Sequence, residues 1–265
     1  MQGDAPPDSW QLGNPYERYV GRWSRRVAPV FLSWLDAAPG KRWLDVGCGT
    51  GALCAAIAAH AAPASVTGVE PSDGFLEVAR SSLGDKVQLL QGSATALPLA
   101  AKSVDVVVSG LVLNFVPDLP AAFVEIARVA SKGATFGAYV WDYAGKMELM
   151  RHFWDVAVDL DPDAAKLDEG RRFPLCRPDA LLALLQQAGL QRREVTAIDI
   201  PTPFADFDDY WAPFLGGQGP APAYAMSLDD AARARLRNAL KKRLPAAPGG
   251  GISLVARAWA VRAML

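Results

Sequence analysis

Three glycines at alternate positions, Gly47, Gly49 and Gly51, follow the run Leu44-Asp45-Val46, and Ala52 opens an alanine-rich stretch behind them. Glycine permits a sharp turn and a close approach of backbone to a ligand, and the N–H groups of a helix that begins behind the loop favour an anion. Three glycines in five residues are more than a tight strand-to-helix turn needs. The stretch satisfies G-x-G-x-x-A, the turn of a dinucleotide site. It also satisfies D-x-G-x-G-x-G, in which the anion at the helix is only a carboxylate. The glycines do not separate these readings. Asp45 bears on the choice, because an acid inside a strand faces a desolvation cost unless it is paired. A pyrophosphate would repel it, whereas a cationic amine or backbone N–H donors would suit it. Glu70, nineteen residues after Gly51, can take both hydroxyls of a ribose, which indicates adenosine under either reading.

The elements that must position these groups follow from periodicity and punctuation. Residues 15–40 read as helical, with Val27, Val30, Phe31, Trp34 and Leu35 at helical spacing and Pro39-Gly40 as the stop. An N-terminal helical segment of this length is unlike a dehydrogenase, which opens with the strand. Trp43–Val46 is a short buried strand, followed by the loop and a helix over 52–61. A strand ends at Glu70, and a helix follows with Ser72 as N-cap and Gly84 as stop. "KVQLLQGS" is a third strand, and "SVDVVVSG" a fourth, too apolar for an edge. A helix over 118–133 with a glycine stop at Gly133 precedes a fifth strand over 134–143. This order predicts a parallel, doubly wound α/β sheet with helices on both faces. Helices over 144–162 and 177–190 and a strand over 191–200 come next. Residues 201–228, rich in Pro, Gly and aromatics, read as an irregular insertion. A charged helix, whose basic face is most simply solvated, and a last alternating strand over 252–263 complete the chain.

Half of the 265 residues are hydrophobic, enough for one large domain with a sizeable core. The net charge of -1 carries no polyanion-binding signature, so no nucleic-acid partner is expected. Cys48, Cys54 and Cys176 form no C-x-x-C pair, which points away from a disulfide framework or a zinc site and suits a reducing cytoplasm. The first residues lack the basic and apolar regions of a signal peptide. No run of about 18 apolar residues suggests a membrane span. A cytoplasmic protein without membrane association is expected, and the oligomeric state is not indicated.

"WLDVGCGTG", "VTGVEPSDGFLEVAR", "LLQGSATALPLAAKSVDVVVSG" and the closing strand pair resemble the class I S-adenosylmethionine-dependent methyltransferase family, of the UbiE-like, type 11 kind. The resemblance is strong over 41–143 and generic beyond. It implies a Rossmann-like sheet of seven strands with the last one antiparallel, in a single domain over 1–265. Residues 1–40 would form a helical N-terminal lid, 41–143 the cofactor half, and 144–265 the substrate-side half with its insertion before the last strand. It implies S-adenosylmethionine as cofactor and S-adenosylhomocysteine as product. Gly47, Cys48, Gly49 and Gly51 would line the methionine and ribose, Asp45 would orient the loop and the amino group, and Glu70 would hold the ribose. Pro71, Ser72 and Phe75 would pack beside the adenine. Ser93 stands where the family often has an acid that accepts from the adenine amino group. A hydroxyl accepts more weakly, which shifts that contact toward the backbone of Ala94, with Thr95 beside it. Ser109 and Gly110 would face the methionine end and the methyl group, and Leu111, Asn114 and Phe115 would begin the acceptor side. Asn114 has a rival reading as a cap of "NFVPD", Phe115 as a core aromatic, and Ser93 as a turn residue.

Methyl transfer from a sulfonium is an in-line displacement that needs positioning and desolvation more than an activated enzyme nucleophile. A base helps only when the acceptor arrives protonated. His152, among aromatics, is the candidate base, with a structural histidine as its rival, while His60 is a surface or core histidine. Asp142 and Tyr143, at the end of a strand, are candidate acceptor contacts or simply close the strand. Tyr19 and Arg22, with Trp23, suit a lid that pairs with the cofactor carboxylate, with a solvated Arg22 and a Trp23 packed on the sheet as the rival. Tyr210, Trp211 and Phe214 suit an aromatic lid over a small organic acceptor, with a dimer contact as the rival. The competing function classes are an NAD(P)-dependent oxidoreductase and a non-catalytic cofactor-binding module.

Overall fold

The structure is a computed structural model, and it describes residues 17–216, 219–245 and 249–265. The N-terminal residues 1–16 of the expected lid lie outside the described residues, as do 217–218 of the expected insertion. A π-helical turn, Glu17–Gly21, leads into α1 (Arg22–Leu35). Next come β1 (Arg42–Val46), α2 (Ala52–His60), β2 (Ser65–Glu70), α3 (Asp73–Leu83), β3 (Gln88–Gln91), β4 (Val104–Gly110), α4 (Leu119–Val129) and β5 (Ala130–Trp141). The chain continues through α5 (Glu148–Leu160), α6 (Glu169–Arg172), α7 (Pro178–Gln187), β6 (Gln191–Phe204), α8 (Phe207–Trp211), α9 (Pro220–Ser227), α10 (Asp230–Arg243) and β7 (Ile252–Met264).

The strands form one seven-stranded sheet in the order β3-β2-β1-β4-β5-β7-β6. β1 to β5 pair in parallel. β7 pairs antiparallel to β5, with Thr135 opposite Met264 and Trp141 opposite Ala258. The seven strands and the antiparallel last one are as expected. Val106, Val107 and Val108 of β4 are buried, as befits a central parallel strand covered on both faces.

Three boundaries differ from expectation. On α1, Phe31 and Leu35 are buried but Val30 is 47% exposed, so the apolar stripe is narrower than the spacing suggested. α4, capped by the Asp118 carboxylate, which accepts from the Ala121 N–H at 2.9 Å, ends at Val129 rather than at Gly133. Ala130 already pairs with Val104 of β4, so the ladder takes the chain before the glycine, and Gly133 lies inside β5. The third difference is the insertion. Pro201–Phe204 belongs to β6, the edge strand, where a residue without an N–H is tolerated. Beyond Phe204 the insertion is mostly helical: Asp206 caps α8, a 3₁₀ turn covers Ala212–Gly216, and Pro220 opens α9.

The chain packs as two compact units. The sheet unit comprises residues 24–141, 175–198 and 258–265; the second unit comprises 17–23, 142–174 and 199–257. Among the described residues no helix is long and apolar enough to cross a membrane.

Candidate functional site

In the sheet unit the glycine loop is hooked onto the end of β2. The N–H groups of Gly47 and Cys48 both donate to the Val69 carbonyl, at 2.8 and 3.0 Å, and that of Gly51 donates to Cys48 at 2.9 Å. Gly47 has φ 74°, and a Cβ there would lie 2.5 Å from Cγ1 of Val112, a stiff β-branched side chain. Around Gly49, by contrast, a Cβ would meet nothing within 4 Å. The loop is thus fixed at its base and open at its crest, the form that lets backbone lie against a ligand.

Two carboxyls anchor this loop. Glu70 accepts from the Gly49 N–H at 3.1 Å and from the Ser72 N–H at 3.0 Å, tying the crest to the start of α3. Burial raises its pKa, against these two hydrogen bonds. Asp45 is 1% exposed; one oxygen accepts from the Cys54 thiol at 3.3 Å and the other has no partner. Burial first, and Glu70 next, push its carboxyl up to about 7.

The other expected residues divide. Ser72 caps α3, its hydroxyl accepting from Phe75 at 3.4 Å, and the Phe75 ring is buried beside it. The Pro71 carbonyl accepts from Gln91. Ser93 makes a turn: its hydroxyl accepts from the Thr95 N–H at 3.1 Å and meets the Thr95 hydroxyl at 2.7 Å, with Ala94 inside that turn. Cys48 turns its thiol onto Gly68, and Ser109 gives its hydroxyl to the Val46 carbonyl at 2.9 Å, leaving its backbone for a ligand. Gly110 is required because a Cβ there would lie 2.6 Å from the Tyr139 hydroxyl. Leu111 then takes φ 64°, a strained left-handed conformation for a bulky residue of the kind that gathers at functional sites. Asn114 is not a cap: Asp118 does that, and both side-chain polar atoms of Asn114 are buried without partners. Phe115 is 37% exposed, which removes the core-aromatic reading.

Gly68 offers a direct check on this packing. A Cβ at Gly68 would meet Cys48 Sγ at 2.8 Å and Leu89 at 3.0 Å. Gly68→Ala is therefore expected to cost at least ~1 kcal/mol by overpacking, and Cys48→Ala in the same chain should recover part of it in thermal melts.

The second unit holds the remaining expected residues. Arg22 lies over the rings of Trp23 and Phe204, at 4.3 and 4.7 Å, and pairs with Asp209 at 3.0 Å, so one edge of its guanidinium is committed. Its Nε and Nη2 are buried without partners. Asp142 closes the turn into α5, accepting from the Lys146 N–H at 3.0 Å. Burial lowers the pKa of His152, with Glu148 and Asp155 opposing the shift and Arg243 adding to it. Tyr210 and Phe214 are fully buried and Trp211 nearly so. The aromatic-lid reading of these rings does not hold. Tyr210 donates to the Leu149 carbonyl at 2.9 Å, and Phe214 stacks on Phe153 at 4.5 Å. They are core, because the helical insertion has an inward face that a loop reading does not foresee.

Tyr19 and Tyr143 belong to the same interior. Tyr19 is 1% exposed and its hydroxyl has no partner. Sequence reasoning misses Glu169, which is 2% exposed and accepts a hydrogen bond from the Trp154 indole. "LDEGRRF" reads as a solvated charged turn, and nothing in its spacing signals burial.

Residues 44–137 of the 265 match the family described as methyltransferase domain. Over 123 residues the chain is 36% identical to the demethylmenaquinone methyltransferase of Symbiobacterium thermophilum, covering 44% of this chain and 49% of that protein. Over 161 residues it is 30% identical to an uncharacterised protein of Mycobacterium tuberculosis, covering 58% of each. The chain spans about half the length of the curated relatives it matches. Phosphoethanolamine N-methyltransferase 2 of Haemonchus contortus shares the fold, with a TM-score of 0.58 at 16% identity over 95% of this chain and 56% of that one. The matched segment contains the whole loop, Asp45, Glu70 and the Ser93 turn. The seven-stranded sheet with β7 inserted antiparallel is the class I methyltransferase fold.

Proposed function

We propose that this chain is an S-adenosylmethionine-dependent methyltransferase that acts on a small organic acceptor. The observation that carries this reading is Asp45, a buried acid beside the open glycine loop with one oxygen unpartnered. A cationic amine relieves that arrangement and a pyrophosphate aggravates it. The residues present fit the cofactor. Asp45 would take its amino group, and the backbone of Gly47, Gly49 and Gly51 its methionine and ribose. Glu70 would take the ribose hydroxyls, Pro71, Ser72 and Phe75 would flank the adenine, and Ser93, Ala94 and Thr95 would meet the adenine amino group. Backbone at Ser109 and Gly110 would bound the methionine end, with Asn114 and Phe115 on the acceptor side. When bound, S-adenosylmethionine supplies an electrophilic methyl on sulfur; the chain's part is to hold two reactants in line and exclude water. The names of the relatives point to unlike acceptors, demethylmenaquinone and phosphoethanolamine, so none is carried over. The small net charge supports an acceptor other than nucleic acid, and the three free cysteines support a cytoplasmic setting.

Calorimetry with S-adenosylhomocysteine tests the reading. A bound ammonium favours the carboxylate, so Asp45 loses its proton on binding. Affinity is therefore expected to rise as pH increases from about 5.5 toward the Asp45 value of about 7, and to level off above it. Asp45→Asn should weaken binding and flatten this dependence. Binding of NADH without binding of S-adenosylhomocysteine would sink the proposal.

A further inference from the structure

We propose that Glu169 and the Tyr19 hydroxyl, set among the aromatic rings of the second unit, form a binding site for the head group of a small cationic amine.

Glu169 is a buried acid without a cation. Among the described residues no ion pair reaches it, and its carboxyl accepts only from the Trp154 indole and its own backbone N–H. Its neighbour Asp168 is engaged elsewhere: its oxygens take Arg151 at 3.0 and 2.8 Å and the Gly170 N–H at 2.8 Å. The Arg151 guanidinium is thereby committed and does not neutralise Glu169. Tyr19 supplies an independent sign of a ligand. Its hydroxyl is buried and has no partner, and Glu169 leads the groups acting electrostatically on it, before Tyr143 and Tyr210. Tyr210 is already bonded to Leu149. Tyr19 stands edge-on to Phe214 at 5.5 Å, Phe214 stacks on Phe153, and Phe153 stands against Trp154, which bonds Glu169. The unpartnered hydroxyl and the carboxyl thus belong to one aromatic cluster, and a buried polar group without a partner suits a polar ligand.

The rings indicate the sign of that ligand's charge. Trp154 and Tyr224 lie 5.7 Å apart, and Phe153 stands edge-on to Trp154 at 5.2 Å. Aromatic faces and a buried carboxylate both attract a cation. An anionic ligand would hold the Glu169 carboxyl in its neutral form, whereas a cation draws it to the carboxylate and gains a charged partner. The titration of the site gives a signature. Burial holds the Glu169 carboxyl up at about 8, with Asp168 adding to the rise and Arg172 opposing it. An arriving ammonium favours the carboxylate, so near pH 7 the carboxyl proton leaves to solvent as the amine binds.

Phenethylamine and its neutral counterpart 2-phenylethanol are the probes, titrated calorimetrically into the full chain at pH 7 in two buffers of different ionisation enthalpy. Phenethylamine is expected to bind at least tenfold more tightly than the alcohol, with a buffer-dependent heat that reports proton release. Glu169→Gln, which keeps an acceptor for Trp154, should lose tenfold or more in amine affinity together with the proton release. Tyr19→Phe should weaken the amine several-fold, and it decides the question if Glu169→Gln melts at a lower temperature than the parent. Equal affinity for amine and alcohol, or variants that bind the amine as the parent does, would overturn the proposal. Parallel titration of the parent with S-adenosylhomocysteine separates the two readings. Amine binding without S-adenosylhomocysteine binding removes the methyltransferase reading alone, and the reverse removes the amine site alone.

Discussion

Glu70→Ala is expected to weaken S-adenosylhomocysteine binding by about 1.5–3 kcal/mol, the worth of hydrogen bonds to a charged group, or roughly tenfold to a hundredfold in dissociation constant. Two losses combine. The ribose hydroxyls would lose their acceptor, and the N–H groups of Gly49 and Ser72, now held at 3.1 and 3.0 Å, would lose theirs. The second loss makes the variant informative beyond binding, because it loosens the crest of the loop in the free protein as well. Glu70→Gln keeps one oxygen acceptor but presents an amide to the other N–H, so its deficit should be smaller. Calorimetry and thermal melts of both variants divide the roles. Lower stability with an unchanged dissociation constant would make Glu70 a brace of the loop and no ligand.

Phe153→Ala is expected to cost about 3–5 kcal/mol of stability, the range for truncating a buried phenylalanine. Phe153 is fully buried, stacked on Phe214 at 4.5 Å and perpendicular to Trp154 and Tyr224 at 5.2 and 6.2 Å. Its neighbours Phe214, Trp154 and Tyr224 are themselves buried rings held in the same cluster, so the space is not readily refilled. A domain of ordinary stability holds only about 5–15 kcal/mol, so the thermal midpoint should fall by on the order of 10 °C. A melt that matches the parent would show that these rings are not the core of the second unit.

The cofactor half of the molecule was legible because local signals coincided there. The alternate glycines, an acid at Asp45, a carboxylate at the end of a strand and a Ser72 cap each constrain backbone within a few residues, and the fold uses them in place. The second unit was not legible in the same way. Tyr210, Trp211 and Phe214 sit among prolines and glycines that read as loop punctuation but serve to start short helices, whose inward faces then bury the rings. Glu169 was invisible because its burial is set by packing in the second unit, where the Trp154 indole, 15 residues earlier, bonds it. The inward turn of Cys48 depends on Gly68 across a strand pair, and the commitment of Ser109 to Val46 on register. Local pattern fixes where a side chain starts; only pairing and packing fix what it touches.

The position of β7 also bears on how the chain reaches this fold. β5 and β6 are synthesised first, yet they are not neighbours, and β7 lies between them. Until residues 252–264 leave the ribosome, one edge of β5 has no lasting partner, and the pairing of Thr135 with Met264 closes across almost half the sequence. Such long-range closure is slow, and an open edge invites pairing with the wrong strand. Nascent chains stalled before residue 252 should therefore be caught by chaperones or lost to aggregation, whereas release of the last strand should commit the sheet in one step.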